Sequence, residues 1–358
     1  MSLRILIAED SAIFAAVIEE LLCSEPDLEV IGVAVNGVEA VEMCARLRPD
    51  LVMMDIHMPL LDGLSATEQI MASSPTPILV VTSDPHSQGV NLSFKALSAG
   101  ALDLVAKPTR FPLIEFERES LLRKVRLLAQ IPVVRHMRGR RTPQATPAPG
   151  DRFGRRAGDV PVPDTRASTI IGIVASTGGP RALARLLADL PADFSGALLI
   201  VQHITQGFSA HLAAWLDAHS ALTVLEAEHA MVVRAGHAYI APTELHMELA
   251  AGSRLRLFEG DAVGGHRPSG DLLLVSIAQH ATRAAGVVLS GMGNDGTDGI
   301  AALHRVGALT LAQDQESSVV YSMPRSAIER GVIERVVKLE RLAAELSAHA
   351  ESGARRLP

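Results

Sequence analysis

Short apolar runs, each closed by a polar residue, alternate with helix-spaced apolar patterns along most of this 358-residue sequence. In the first third the runs cover residues 5–8, 30–35, 51–54, 78–81 and 104–106, and between the first two Ile13, Phe14, Val17, Ile18, Leu21 and Leu22 share one face of a helix. Apolar runs this short suit a sheet covered on both faces, and the intervening helices supply the cover. A doubly wound parallel α/β sheet is the expected result. The pattern stops over residues 131–168, where Arg135, Arg138, Arg140, Arg141, Arg152, Arg155 and Arg156 are interleaved with prolines and no apolar periodicity survives. That stretch reads as a basic, Pro/Arg-rich linker. Beyond it the alternation returns: runs at 170–175, 197–201, 237–240, 272–277 and 287–289 predict strands, and 181–190 and 211–217 predict helices. Two doubly wound α/β domains are expected, residues 1–130 and 169–350, joined by the linker.

Composition narrows the function classes. A hydrophobic fraction of 48% with 20% charged residues belongs to ordinary globular protein rather than to a disordered, collagen-like or coiled-coil chain. No stretch approaches the ~20 consecutive apolar residues of a spanning helix, and the first apolar run meets Glu9 and Asp10 too early for a signal peptide. A cytoplasmic monomer without membrane insertion is the expectation. Both outer blocks are acidic within a net charge of −7, so neither offers the cationic face that nucleic-acid binding needs. Two cysteines, Cys23 and Cys44, are too few for a disulfide framework and are expected as reduced, buried thiols.

Functional groups of a parallel sheet gather at the carboxyl ends of its strands. Glu9 and Asp10 follow the first run, Asp55 the third, Thr82 the fourth and Lys107 the fifth. Carboxylates crowded at one edge repel each other unless a cation sits among them, and a hard Mg²⁺ ion that bridges to phosphate oxygens is the natural partner. Asp55 would then attack phosphorus, with the metal and Lys107 neutralising the equatorial oxygens and Thr82 donating a hydrogen bond to one of them. One polar strand end is ordinary in any α/β protein, whereas five at matched ends call for a function. The stretch Asp55-Ile-His-Met-Pro-Leu-Leu-Asp-Gly63, with Glu9-Asp10, Thr82 and Lys107-Pro108, closely resembles the receiver domain of bacterial two-component systems. The resemblance implies a flavodoxin-like fold and phosphorylation of Asp55 by a histidine kinase. It also implies Mg²⁺ held by Glu9, Asp10, Asp55 and the backbone carbonyl of His57, and a cis Lys107–Pro108 bond. Receivers commonly carry a switch aromatic three residues before this lysine; here Leu104 stands there, so the signal is expected to travel through Thr82 and the domain interface.

In the second domain, the run 170–175 ends in Ser176-Thr-Gly-Gly-Pro180, and proline suits the first helical position. Ser176 therefore sits on a strand-to-helix turn where glycines allow close backbone approach and helix amides favour a developing negative charge. A structural turn or a phosphate cradle would use the same residues, so the partners decide. His203 follows the next run at the same sheet edge, where a base could take the serine proton; His246 and His266, placed in loops, compete for that role. The run 287–289 leads into Gly291-Met-Gly-Asn-Asp-Gly-Thr-Asp-Gly299, whose glycines let an amide point into the site while Asp295 reaches the imidazole. Asp298 is expected to cap the helix that follows. The order Ser, His, Asp differs from that of α/β-hydrolases and of both familiar protease families.

These stretches, with Gln202-His203, Ala312-Gln-Asp-Gln-Glu-Ser-Ser-Val-Val-Tyr321 and Met323-Pro324, resemble the chemotaxis protein-glutamate methylesterase family (CheB-type), with a Rossmann-like catalytic domain behind the receiver. The resemblance implies hydrolysis of glutamate methyl esters on chemoreceptor cytoplasmic domains with release of methanol, and deamidation of receptor glutamines. Carried onto this chain, Ser176 is the nucleophile, His203 the base and Asp295 its orienter, Thr177 and the amide of Met292 stabilise the oxyanion, and the catalytic domain needs no cofactor. Val174, Thr243-Glu244, Gly270 and Ser322 depart from the family pattern; none falls on the triad, and they bear on the shape of the substrate groove. Two other readings compete: a catalytically weak phosphate-sink module of a chemosensory array, and a sugar- or nucleotide-binding domain. The latter leaves Gly291–Gly296 without a purpose.

Overall fold

The computed structural model describes residues 2–82, 90–108, 113, 115–133 and 167–354. In its first part β1 (Leu3–Ala8), α1 (Ala12–Cys23), β2 (Leu28–Ala34), α2 (Gly37–Leu47), β3 (Leu51–Asp55), α3 (Gly63–Ser73), β4 (Ile78–Thr82), α4 (Val90–Ala99), β5 (Asp103–Ala106) and α5 (Glu115–Leu128) alternate strictly. The strands pair in parallel in the order β2-β1-β3-β4-β5. Every residue of β3 and β4 is buried, as a strand covered on both faces requires. The chain reverses direction across the sheet between β1 and β3, which places a crevice at their carboxyl ends.

The second part runs β6 (Ile170–Ala175), α6 (Gly179–Asp189), β7 (Ala197–Gln202), α7 (Ser209–Asp217), β8 (Thr223–Glu226), β9 (His237–Ile240), β10 (His246–Ala250), β11 (Arg254–Phe258), α8 (Gly270–His280), β12 (Ala284–Val288), α9 (Thr297–Arg305), β13 (Leu309–Gln313), α10 (Ser322–Glu329), β14 (Arg335–Val337) and α11 (Leu339–Ala354). Seven of these strands form one parallel sheet in the order β14-β13-β12-β6-β7-β9-β8. β6 lies between β7 and β12, so the switch of direction falls at the end of β6. β10 and β11 make a separate antiparallel hairpin.

Several expectations are corrected. Residues 272–277 form part of helix α8 rather than a strand: Leu273, Leu274 and Ile277 are fully buried at helical spacing. The helix is sandwiched between α9, β6 and the β10 strand, so too little of it is wetted to show an amphipathic period. Gly172 allows it to approach, because a Cβ there would lie 2.3 Å from the Leu274 side chain. His246 is the first residue of β10 and is buried, not in a loop. Asp298 does not cap α9; Gly296 does, in a left-handed conformation, and Asp298 pairs with Arg330. Cys23 is exposed at the end of α1, whereas Cys44 is buried. The only cis peptide bond among the described residues is Arg267–Pro268, so Lys107–Pro108 is not cis. Most of the expected linker, residues 134–166, lies outside the described residues. No helix among the described residues is long and apolar enough to cross a membrane.

The two sheets meet through helices. Phe94 of α4 stacks on Trp215 of α7, with ring centroids 5.5 Å apart and planes at 24°. Both rings belong to one buried apolar cluster that continues from the first sheet into the second.

Candidate active site

The first cluster occupies the crevice between β1 and β3. Glu9 and Asp55 are each only 3% exposed, Thr82 closes β4 and is fully buried, and Lys107 follows β5. Lys107 Nζ lies 2.6 Å from Glu9 Oε2 and 2.9 Å from Asp55 Oδ2. Burial acts to lower the lysine pKa, but the two carboxylates win and raise it. Burial likewise raises the Glu9 pKa, with repulsion from Asp55 adding to it and Lys107 opposing. Asp10 is exposed, and Glu9, Asp10 and Asp55 each offer a carboxylate oxygen within 4.8 Å of the others. That donor set, all hard oxygens and more negative charge than one lysine balances, fits Mg²⁺. His57 donates its backbone N–H to Asp55 Oδ1 at 3.3 Å, which holds its peptide beside the carboxylate. Gly63 lies so close that a Cβ would sit 1.9 Å from the Asp55 carbonyl oxygen, which accounts for the glycine that ends the motif. Leu104, at the switch position, is buried within β5.

The second cluster stands at the switch point of the larger sheet. The pairing of Ala175 with Gln202 places the residues that follow them, Ser176 and His203, side by side. The His203 N–H donates to the Ala175 carbonyl at 2.9 Å. The Gln202 amide braces the pair by donating to the carbonyls of Ser176 at 2.8 Å and His203 at 2.9 Å. On the other side, the Ser176 N–H donates to the Ser290 carbonyl at 3.0 Å. Gly291 is packed so closely that a Cβ would lie 2.1 Å from Met323 Sδ and 2.8 Å from Ser176 Cβ, so the peptide leading to Met292 runs past the serine. Gly178 takes φ of 78° as the N-cap of α6, a conformation glycine adopts without strain. Thr177 is 2% exposed, and its hydroxyl has no hydrogen-bond partner among the described residues.

His203 Nε2 lies 2.8 Å from Asp295 Oδ2, while its buried Nδ1 has no partner among the described residues. Asp295 also accepts from the Ser269 hydroxyl at 3.0 Å, the Gly270 N–H at 2.6 Å and the Asp271 N–H at 3.1 Å, all at the start of α8. Burial alone would raise the pKa of this carboxyl; the histidine and the helix amides outweigh it and pull it down to about 2. Asp271 at the same helix start is pushed up to about 6, by burial and by the charge of Asp295, although it accepts from the Gly299 N–H. The start of α8 thus serves Asp295, while Asp271 is left to an amide at the start of α9, and the two carboxylates titrate far apart. His266 lies flat against His203, with ring centroids 3.9 Å apart.

The structure thus brings Ser176, His203 and Asp295 to one edge, with Thr177 and Met292 beside them, and Glu9, Asp10, Asp55, Thr82 and Lys107 to another. His246, the other competing base, is engaged elsewhere: Nε2 meets the Asp261 carbonyl and Nδ1 accepts from the Ser269 N–H. Sequence reasoning missed the bracing by Gln202 and the role of Ser269 and α8. The Gln-His pair at a strand end was the signal for the first; the second was hidden by reading α8 as a strand.

Two family models match: the response regulator receiver domain over residues 5–115 and CheB methylesterase over 171–346. A protein-glutamate methylesterase/protein-glutamine glutaminase of Anaeromyxobacter dehalogenans is 42% identical over 342 residues, covering 95% of each chain. One from Paramagnetospirillum magneticum is 41% identical, covering 96% of this chain and 95% of its own. The Thermotoga maritima CheB methylesterase catalytic domain is 37% identical and covers 50% of this chain and 97% of its own, with a TM-score of 0.49. With both domain models in order and relatives matched from end to end, the chain belongs to the receiver-linked CheB methylesterase family.

Proposed function

We propose that this chain hydrolyses glutamate methyl esters on chemoreceptor cytoplasmic domains, and deamidates receptor glutamines, by a Ser176-His203-Asp295 mechanism. The observation that carries the reading is the His203–Asp295 contact at 2.8 Å, beside a serine on a glycine-flanked turn at the same sheet edge. Because Asp295 takes Nε2, the nitrogen that accepts the serine proton is Nδ1, the reverse of the usual serine-protease usage. Ser176 Oγ attacks the ester carbonyl carbon as Nδ1 takes its proton. The oxyanion is met by the Thr177 hydroxyl and the Met292 amide. The tetrahedral intermediate collapses, His203 returns the proton to the methoxy oxygen, and methanol leaves. Water then attacks the acyl-enzyme with the same base, which frees glutamate and Ser176. With a glutamine substrate ammonia departs in place of methanol. Replacing His203 by Ala should lower methanol release from methylated receptor by at least about a thousandfold, as loss of one member of such a unit does. A near-normal rate in a folded variant would sink the mechanism.

The receiver domain supplies the regulation in this proposal. Asp55 accepts a phosphoryl group from a chemotaxis histidine kinase, and bound Mg²⁺ would offset the charge of the phosphoryl oxygens at Glu9, Asp10, Asp55 and the His57 carbonyl. Lys107 holds one phosphoryl oxygen and Thr82 donates to another. In the unphosphorylated chain the receiver restrains the catalytic edge through the α4–α7 contact and through Val319, which packs against the receiver core and beside Gly178. On phosphorylation of Asp55 this contact loosens, and domains 1–130 and 169–350 act as separate bodies. An Asp55→Asn chain should keep a low basal rate and ignore a small-molecule phosphodonor. Activation of that variant by the donor would refute the switch.

A further inference from the structure

The acid–base pair of the hydrolase site is gripped by one segment. Residues 266–271 lead out of a tight turn in which Val263 and His266 exchange backbone hydrogen bonds of 3.1 and 3.0 Å around Gly264 and Gly265. The Arg267 guanidinium anchors the segment to the Gly260 carbonyl at 2.7 Å. Its far end, Ser269 to Asp271, supplies three hydrogen bonds to Asp295. Its near end lays the His266 ring on the His203 ring at a centroid distance of 3.9 Å, with only 4° between the planes. Aromatic pairs commonly stand ~4.5–7 Å apart, so this contact is close, with the two faces nearly parallel.

His203 needs such a contact. Its Nε2 edge is fixed by Asp295, but Nδ1 has no partner among the described residues, so this single hydrogen bond leaves the ring free to pivot and to carry Nδ1 away from the position the proposed proton transfer needs. A plate against one face removes this freedom and keeps water from that face. Burial, with the neighbouring His203 charge adding to it and Asp295 opposing, lowers the His266 pKa to about 4. His266 is therefore neutral near pH 7, and a neutral aromatic face attracts the imidazolium that His203 becomes in each half-reaction.

We propose that His266 is a positioning residue: it holds the His203 imidazole in its working plane by face-to-face stacking, and what the site requires from it is a neutral aromatic plate, not a proton or a hydrogen bond. This rests on the Ser176-His203-Asp295 reading. The test uses the full chain with a small-molecule phosphodonor and methylated receptor, measuring kcat and KM for methanol release. His266→Ala should lower kcat by about 10- to 100-fold, the scale of a misplaced catalytic group, with KM changed less than about twofold. His266→Phe should restore kcat to within a few-fold of wild type. A merely structural role would lower the fraction of folded enzyme without this split and without rescue by Phe. If His266→Ala does not fold, His266→Asn takes its place. A wild-type kcat in the Ala or Asn variant overturns the proposal, and so does a Phe variant as slow as they are, which would give the imidazole nitrogens a direct role. Ser176→Ala is run alongside: full activity there would overturn the triad itself, a result distinct from either.

Discussion

Asp295 shows how one side chain acquires its task. Its charge is maintained by His203 and by three donors at the start of α8, and the result is a carboxyl with a pKa of about 2. Asn at this position keeps the size and loses the charge, so Asp295→Asn should cut kcat/KM for methanol release by about 100- to 10,000-fold, less than removal of the nucleophile. The depressed pKa also has a stability consequence. The unfolded carboxyl titrates near 3.8, so the folded state gains from the ionised form above that pH and loses the gain as pH falls from about 4 through about 2. Acid unfolding of wild type should show a stability loss in that window, of order 2 kcal/mol, that Asp295→Asn lacks. The identity of this residue was legible in the sequence, because a glycine-rich loop after an apolar run leaves few candidates. Its hydrogen bonds were not, since Ser269, Gly270 and Asp271 lie 24 to 26 positions away and meet it only through the packing of α8.

Helix α8 is where the sequence reading failed. Leu272 to Ile277 is an unbroken apolar run apart from Ser276, and a helix packed against both β6 and β10 looks from its composition like a buried strand. The glycines that admit it, Gly172 on β6 and Gly299 on α9, sit far away in sequence. Gly172→Ala would press a methyl group to 2.3 Å from the Leu274 side chain and 2.7 Å from Ile277. Chemical denaturation should report a loss of about 1–3 kcal/mol, the usual cost of overpacking a core. The start of the same helix carries the opposite opportunity. Burial, with the charges of Asp295 and Asp298 adding to it, pushes Asp271 up to about 6. At pH 8 both states hold it ionised and the folded state bears the strain; below about 6 the folded state binds a proton and the strain is relieved. Asp271→Asn should therefore raise the thermal midpoint at pH 8, and the gain should shrink as pH falls towards 4. A gain that grows on acidification would contradict the assignment. By contrast, β6 and β9 match the sequence reading at both ends: β6 is rich in β-branched residues and closed by Thr169 and Ser176, and β9 is closed by Gly236 and by Ala241-Pro242.

At the scale of the whole molecule, two parallel sheets each gather polar side chains at a carboxyl edge, carboxylates with Lys107 on one and Ser176, His203 and Asp295 on the other. The split into two α/β units was readable from the alternation that stops and restarts. The contact between them was not, because nothing in Phe94 or Trp215 marks them as partners across 121 positions. Trp215 is the single tryptophan of the chain, so its emission reports on this contact without a label. Phe94→Ala should raise the unphosphorylated esterase rate several-fold and shift the emission in the same sense as phosphodonor does in wild type. An unchanged rate with a shifted emission would leave the stack without a regulatory role. The chemistry proposed for the larger sheet depends most directly on Ser176 as nucleophile. Methanol release from methylated chemoreceptor, measured with full-length enzyme and phosphodonor, should fall by at least about a thousandfold in Ser176→Ala while the variant keeps the wild-type thermal midpoint; a rate within a few-fold of wild type would contradict it.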